Sequence, residues 1–148
     1  MELLFYHLER APLERVLPDL LSRSLSKGWR AIVEASPFER VEAIDAMLWT
    51  YQDDSFLPHG TVKDEDASSQ PIVLTDSLEN SNNADIRFFI DTGDVAAHQG
   101  YKRLVYIFNG NDEEAVSRAR LQWKAAKAAD IEATYWQQTE AGRWEKKA

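Results

Sequence analysis

Three histidines, His7, His59 and His98, have the widest chemical repertoire in this chain of 148 residues. Histidine titrates near neutral pH and ligates metals through either ring nitrogen. No two of them stand four residues apart, and no HExxH or comparable ligand spacing surrounds them, so a metal centre is not expected. His7 reads as a strand-end residue, and His59 and His98 as loop residues. Cysteine is absent, which excludes disulfides and thiolate ligands. No serine occupies a G-x-S-x-G elbow. Carboxylates cluster at Asp53-Asp54 and Asp64-Glu65-Asp66, but runs of this kind read as solvated loop faces rather than acid/base pairs. A phosphate cradle would require glycine after the first strand, where the backbone must approach a pyrophosphate closely. The turn there reads His7-Leu8-Glu9-Arg10-Ala11-Pro12, without glycine and with Glu9 to repel phosphate. No GxxxxGK[ST] occurs. Catalytic residues, metals and cofactors are therefore not expected, and a nucleotide-binding α/β enzyme is the weaker alternative.

Two constellations suit binding rather than catalysis. Leu48-Trp49-Thr50-Tyr51 is followed by Ser55-Phe56-Leu57-Pro58-His59, so large apolar groups leave a helix and enter a polar loop. Trp49 and Phe56 could simply pin that loop to the core. Alternatively they form an exposed aromatic patch of the kind that anchors a protein interface. Arg120, Lys124 and Lys127 recur at i, i+4 and i+7 of a later helix. Val116 lies one turn before Arg120, and Trp123 borders the stripe. The plain reading is a solvated helix face whose cations suit the negative C-terminal end of the dipole. The functional reading is a surface for an acidic peptide ending in an aromatic residue and a free carboxylate, which Arg120 would grip bidentately.

These residues need elements to hold them. Leu3–Leu8 is a short apolar run bounded by charge and proline, which predicts a buried strand. Leu13, Val16, Leu17, Leu20, Leu21 and Leu25 form the stripe of an amphipathic helix. Pro12 suits its first turn, Pro18 should kink it, and Gly28 ends it. Trp29–Glu34 is a second strand. Ser36 is placed to cap a second helix, with Pro37 at its first position and Glu39 completing a capping box. Its apolar face is Val41, Ile44, Met47 and Leu48. A loop spans Thr50–Asp66. Pro71–Thr75, Ile86–Ile90 and Leu104–Phe108 are further strands, joined by polar loops over Asp76–Asp85 and Asp91–Gly100. Asn111 with Glu114 caps a long helix to about Ala129, and Ile131–Gln137 is a last strand. One α/β domain is expected over residues 1–138, with a polar C-terminal tail over 139–148. Short, continuously apolar strands alternating with helices indicate a mostly parallel or mixed sheet covered by helices on both faces. The two strand-to-strand passages without a helix argue for the mixed arrangement.

Composition narrows the partners. At 44% hydrophobic and 28% charged residues the chain is ordinary for a globular protein. The Met1-Glu2-Leu3-Leu4 start does not read as a signal peptide, and no apolar stretch approaches the roughly 20 residues of a membrane-spanning helix, so a cytoplasmic location is expected. A net charge of -8 opposes direct nucleic-acid binding. This also weighs against a third reading, in which Trp136 and Trp144 stack on single-stranded DNA. The charge is uneven: Ala115–Ala148 carries seven Lys/Arg against four Asp/Glu, leaving ten against 21 in the rest. A basic end on an acidic body suggests one surface that prefers an acidic partner.

The order of motifs resembles the chi subunit family of the bacterial DNA polymerase III clamp loader. The run Ile44-Asp45-Ala46-Met47-Leu48-Trp49 through Ser55-Phe56-Leu57-Pro58-His59-Gly60 is similar to the family pattern L-D-x-x-L-W, an acidic spacer, then S-F-[LV]-P-H. Phe5-Tyr6-His7-Leu8, Pro71-Ile72-Val73-Leu74, Arg120, Trp123-Lys124 and Tyr135-Trp136 match more loosely, in order, along essentially the whole chain. The resemblance implies a fold like a mononucleotide-binding (Rossmann-like) domain without catalysis, serving DNA replication as an adaptor. It implies two partners, the psi subunit of the clamp loader and the acidic C-terminal tail of single-stranded DNA-binding protein. By position, Trp49, Phe56 and Pro58 fall on the surface used for psi or for a repair helicase. Val116, Arg120, Trp123, Lys124 and Lys127 fall at the surface for the tail. Val116 stands where the family carries a lysine, leaving that surface with less charge.

Overall fold

Runs rich in β-branched, aromatic and leucine side chains become strands because such side chains pack well on a pleated, buried surface. The computed structural model of the chain describes residues 1–50 and 57–148, and Phe56 therefore lies outside the described residues. Its strands are β1 (Glu2–Leu8), β2 (Ala31–Glu34), β3 (Gly60–Thr61), β4 (Ile72–Thr75), β5 (Ile86–Ile90), β6 (Arg103–Asn109), β7 (Glu132–Gln138) and β8 (Trp144–Lys146). Its α-helices are α1 (Leu13–Ser26), α2 (Phe38–Thr50) and α3 (Glu113–Ala128). The strands form one sheet in the order β3-β4-β2-β5-β6-β1-β7-β8.

From β3 to β7 every neighbouring pair is parallel. The first crossover, β1-α1-β2, runs toward one edge of the sheet; β6-α3-β7 passes over β1 toward the other. Right-handed crossovers in opposite directions place their helices on opposite faces. Accordingly α1 and α2 share a core with Leu8, Val33, Phe88, Val105 and Ile107, while α3 shares one with Leu3, Phe5, Phe89, Leu104 and Tyr106. The α/β class with helices on both faces is as expected.

Several details differ from expectation. The sheet is mixed for another reason than the one read from the chain. The passages β4 to β5 and β5 to β6, which hold no α-helix and in the second case one 3-10 turn at Val95–Ala97, lead to strands that remain parallel, and the antiparallel pair is β7–β8. Residues 139–148, read as a polar tail, turn back through Gly142 and return as β8. Helix α1 runs through Pro18, which is buried inside it. Helix α2 begins at Phe38, one residue after Pro37, which follows a cis Ser36–Pro37 bond. The cap of α3 is Asp112, not Asn111: its carboxylate accepts from the amides of Glu114 at 3.0 Å and Ala115 at 3.4 Å.

On the α3 face, the half of the sheet formed by β2 and β5 is covered by loops instead of a helix. Arg87, 0% exposed, projects from β5 into that cover. Its Nε and Nη2 donate to Glu34 Oε1 at 3.2 and 2.6 Å. Nη2 also donates to the Ser77 carbonyl at 2.6 Å. Nη1 donates to the Glu79 carbonyl at 3.2 Å and the Tyr101 hydroxyl at 3.1 Å. Five donors in a planar fork thus tie β2 to both loops. Burial pushes the Glu34 carboxyl up, and Arg87 pulls it back down. Arg87→Met should destabilise the domain by about 3–5 kcal/mol, because it strands a buried carboxylate. In urea unfolding, Arg87→Met/Glu34→Leu should cost clearly less than the sum of the two single variants; a double loss equal to that sum would mean the pair does not act as a unit.

Candidate functional site

Parallel α/β sheets offer a crevice at the carboxyl ends of the strands where crossovers diverge. Here it lies between β1 and β6, a space of about 370 Å³ edged by Glu9, Glu14, Asp91 and Asp112. The chain's own groups fill its polar valences. Asp112 caps α3, Arg40 pairs with Asp91 at 3.0 Å, and Asn111 Nδ2 donates to the Glu9 carbonyl at 3.0 Å. Four carboxylates against Arg10 and Arg40 leave the crevice acidic where a phosphate would sit. Among the described residues no cluster of His, Asp and Glu is arranged to hold a metal ion.

A second concavity lies along α3. Val116, Arg120, Trp123 and Lys124 follow one stripe of the helix, as their spacing predicts, and together line a groove of about 310 Å³. Phe108 from the end of β6, Tyr135 from β7, Ala119 and Ala148 complete it. The aromatic floor is held from below. Trp123 meets Phe5 edge-on at 5.4 Å and Tyr135 at 6.0 Å, and Phe108 lies 6.1 Å from Tyr135. Arg120 and Lys124 are exposed at the lip. Such a slot can take an aromatic ring, with cations at its edge for a carboxylate. Lys127 departs from expectation: it does not line the groove, and its ammonium sits 4.7 Å from the Trp123 ring centroid, over the indole. Arg118 is engaged elsewhere, donating through Nε to the Asp91 carbonyl at 2.9 Å. Val116 contributes apolar wall where a lysine would contribute charge.

The sequence reading missed Phe108, Ala119, Tyr135 and Ala148. Strand parity held a signal for one of them, since Tyr135 alternates with buried Ala133 and Ile131 on the α3 face. Beneath Tyr135, His7 Nδ1 lies 2.5 Å from the phenol oxygen and His7 Nε2 lies 3.4 Å from Glu9. Gly110 passes so close that a Cβ there would stand 1.9 Å from His7 Nε2, which is why the β6–α3 turn carries glycine. Burial lowers the His7 pKa, and Arg120 lowers it further against the opposing pull of Glu9.

At the aromatic end of α2 the structure separates the two readings of Trp49. Trp49 is 53% exposed, with its ring 4.5 Å from that of His59. His59 is buried, its Nδ1 2.7 Å from the Leu57 carbonyl and its Nε2 3.0 Å from Asp45 Oδ1. Leu57 is buried and Pro58 half-buried. Leu57 and His59 pin the segment to the core, leaving Trp49 on the surface.

Fold and site define a class: a doubly wound α/β domain whose strand-end crevice is edged by carboxylates and whose last helix flanks an apolar groove lipped by cations. The family model described as DNA polymerase III chi subunit, HolC, matches residues 1–134. The chain belongs to that family. It is also 27% identical over 103 residues to the probable DNA polymerase III subunit chi of Rickettsia prowazekii (strain Madrid E), covering 70% of this chain and 62% of that relative. The match therefore spans less than two thirds of the relative's length.

The His7 geometry gives a pH prediction with a definite sign. A histidine whose folded pKa lies below its unfolded value of about 6.5 contributes stability that is present above that pH and lost as pH falls below it. An NMR titration of the His7 ring should show its inflection below 6.5, moving upward in Arg120→Ala. An inflection unmoved by that substitution would separate His7 electrostatically from the groove.

Proposed function

We propose that this chain is a non-catalytic adaptor of the replication machinery, joining the clamp loader to single-stranded DNA-binding protein. Membership of the chi family supports the setting. The observation that carries the reading is the groove on α3, where an apolar aromatic floor lies beside the exposed cations Arg120 and Lys124. Its ligand is the acidic C-terminal tail of single-stranded DNA-binding protein. The terminal aromatic ring enters between Trp123, Phe108 and Tyr135; Arg120 takes the terminal carboxylate, and Lys124 the acidic residues before it. The exposed Trp49, with Pro58 beside the buried His59, faces the second partner, the psi subunit or a repair helicase. The setting of such an adaptor is the cytoplasm. Among the described residues no helix is long and apolar enough to cross a membrane.

A labelled peptide copying that acidic tail, titrated at low and moderate salt, tests the groove. Binding should need the terminal aromatic residue and weaken as salt rises, because exposed ion pairs are screened within about 10 Å at 0.1 M. Arg120→Ala should cost roughly tenfold in affinity, about 1.4 kcal/mol, with unchanged unfolding. Peptide binding indifferent to the terminal residue and to Arg120→Ala would remove this assignment. Trp49→Ala should leave peptide affinity and melting temperature unaltered while weakening capture by a purified psi subunit or helicase. A collapse of the fold instead would make Trp49 structural.

A further inference from the structure

The two faces of β1 are treated unequally. Leu3 and Phe5, facing α3, are 0% exposed, whereas Leu4 and Tyr6 on the opposite face are only partly buried. A strand parallel to both neighbours normally has both faces covered. Register carries the open face onward. Leu4 and Tyr6 lie beside Thr134 and Trp136 of β7, and Trp136 and Gln138 lie opposite Lys146 and Trp144 of β8. Trp144 packs edge-on against Tyr6, with ring centroids 4.9 Å apart. Helix α1 shares its core with β2, β5 and β6, and among the described residues no helix lies over β7 and β8 on this side. What remains is a trough between α1 and Trp144, formed of two concavities of about 480 and 630 Å³ that share Tyr6, Leu20, Ser22 and Arg23.

We propose that this trough is a docking site for one amphipathic helix of a partner protein, with an apolar stripe ending in carboxylates, distinct from the tail groove on the other face. Its width is that of a helix: three strands about 4.8 Å apart span roughly 10–14 Å, and a helix with its side chains is about 10–12 Å across. The floor offers Tyr6 and Trp144, with Trp136 beside Tyr6 by register, the residue types that dominate interface energetics. Charge sets the direction. Arg23, Lys27 and Arg103 line the concavity at the amino end of β1, and no carboxylate lines it with them. Glu2 pairs with the partly buried Arg103 and Asp19 with the exposed Arg23 at 3.2 Å, while the Lys27 ammonium lies 4.8 Å from the Trp29 ring centroid. At the other end Arg15 and Arg23 are balanced by Glu14 and Asp19. On a chain of net charge -8, a basic end is the feature that selects an acidic helix end. It does not extend into a phosphate-binding track.

The test uses the full chain labelled with 5-fluorotryptophan. Three helical peptides of about 18 residues are titrated: one with a Leu/Phe stripe and glutamates at one end, one with lysines there, and one broken by a central proline. The acidic helix should shift the fluorine resonances of Trp136 and Trp144 saturably. Its affinity should fall at least tenfold in Lys27→Glu and in the lysine-ended peptide, and binding should vanish with the proline peptide. Lys27 is exposed, so its variant should keep the melting temperature. Trp144→Ala adds a floor test, accepted only if its spectrum stays folded. Arg120→Ala should change nothing here, which separates this site from the tail groove. Absence of a saturable shift with the acidic helix would overturn the proposal. So would saturation of the same resonances by oligothymidine, or a concentration-dependent shift without peptide, which would assign the face to nucleic acid or to a second copy of this chain.

Discussion

A buried guanidinium is the constraint on which much of this architecture rests. Two consecutive parallel connections, β4 to β5 and β5 to β6, lack the helix that ordinarily covers such a sheet. Their loops must therefore lie on the sheet and satisfy their own backbone groups there. Arg87 meets that demand by donating to carbonyls of Ser77 and Glu79 in one loop and to Tyr101 at the end of the other, with Glu34 on the adjacent strand balancing its charge. A hydrophobic residue at that place could fill the volume but could not hold carbonyls from one loop and a hydroxyl from the other. Buried ion pairs often add little net stability; what this one supplies is a unique path for two otherwise irregular segments.

That path extends to α3. The loop carrying Tyr101 also contains Val95, whose amide donates to Gln122 of α3 at 2.9 Å. The side of α3 toward β1 and β7 then carries Val116, Arg120, Trp123 and Lys124. The helix is fixed from one flank by loop contacts and from beneath by Phe5, so its outward stripe meets Phe108 and Tyr135 at a set depth. An α/β sheet has one favoured place for a nucleotide; in this chain Asp112, Asp91 and Glu9 edge that place, and the apolar groove lies on a helix flank instead.

The sheet carries concavities on both faces because its crossovers are unevenly distributed. Helix α3 spans β1 on one side and creates the groove with β6 and β7. No crossover follows β7, since the chain turns back as β8, and the opposite side of β1 and β7 keeps its aromatic residues partly open. Both consequences come from one topological fact, the reversal of direction between β1 and β6.

The sequence by itself determined the elements and their class, because the periodicity of apolar residues is a local property. Strands at Leu3–Leu8 and Ile86–Ile90, the stripe on α1 and the cation stripe on α3 are legible from spacing alone. The absence of a glycine loop after β1 likewise argued against a phosphate cradle without coordinates. Tertiary structure decided the rest. Tyr135 and Phe108 join Trp123 only through strand pairing across more than a dozen residues of separation. Trp49 is exposed because Leu57 and His59 take the anchoring role, and Lys127 turns onto Trp123 where spacing would have placed it in line with Arg120. Arg87 illustrates the limit most clearly. In the run Ile86-Arg87-Phe88-Phe89-Ile90 it looks like the polar interruption of an apolar strand, and only the packing of two distant loops makes it the most buried charge among the described residues. Hydrogen-bond partners supplied from elsewhere in the chain leave no trace in local pattern.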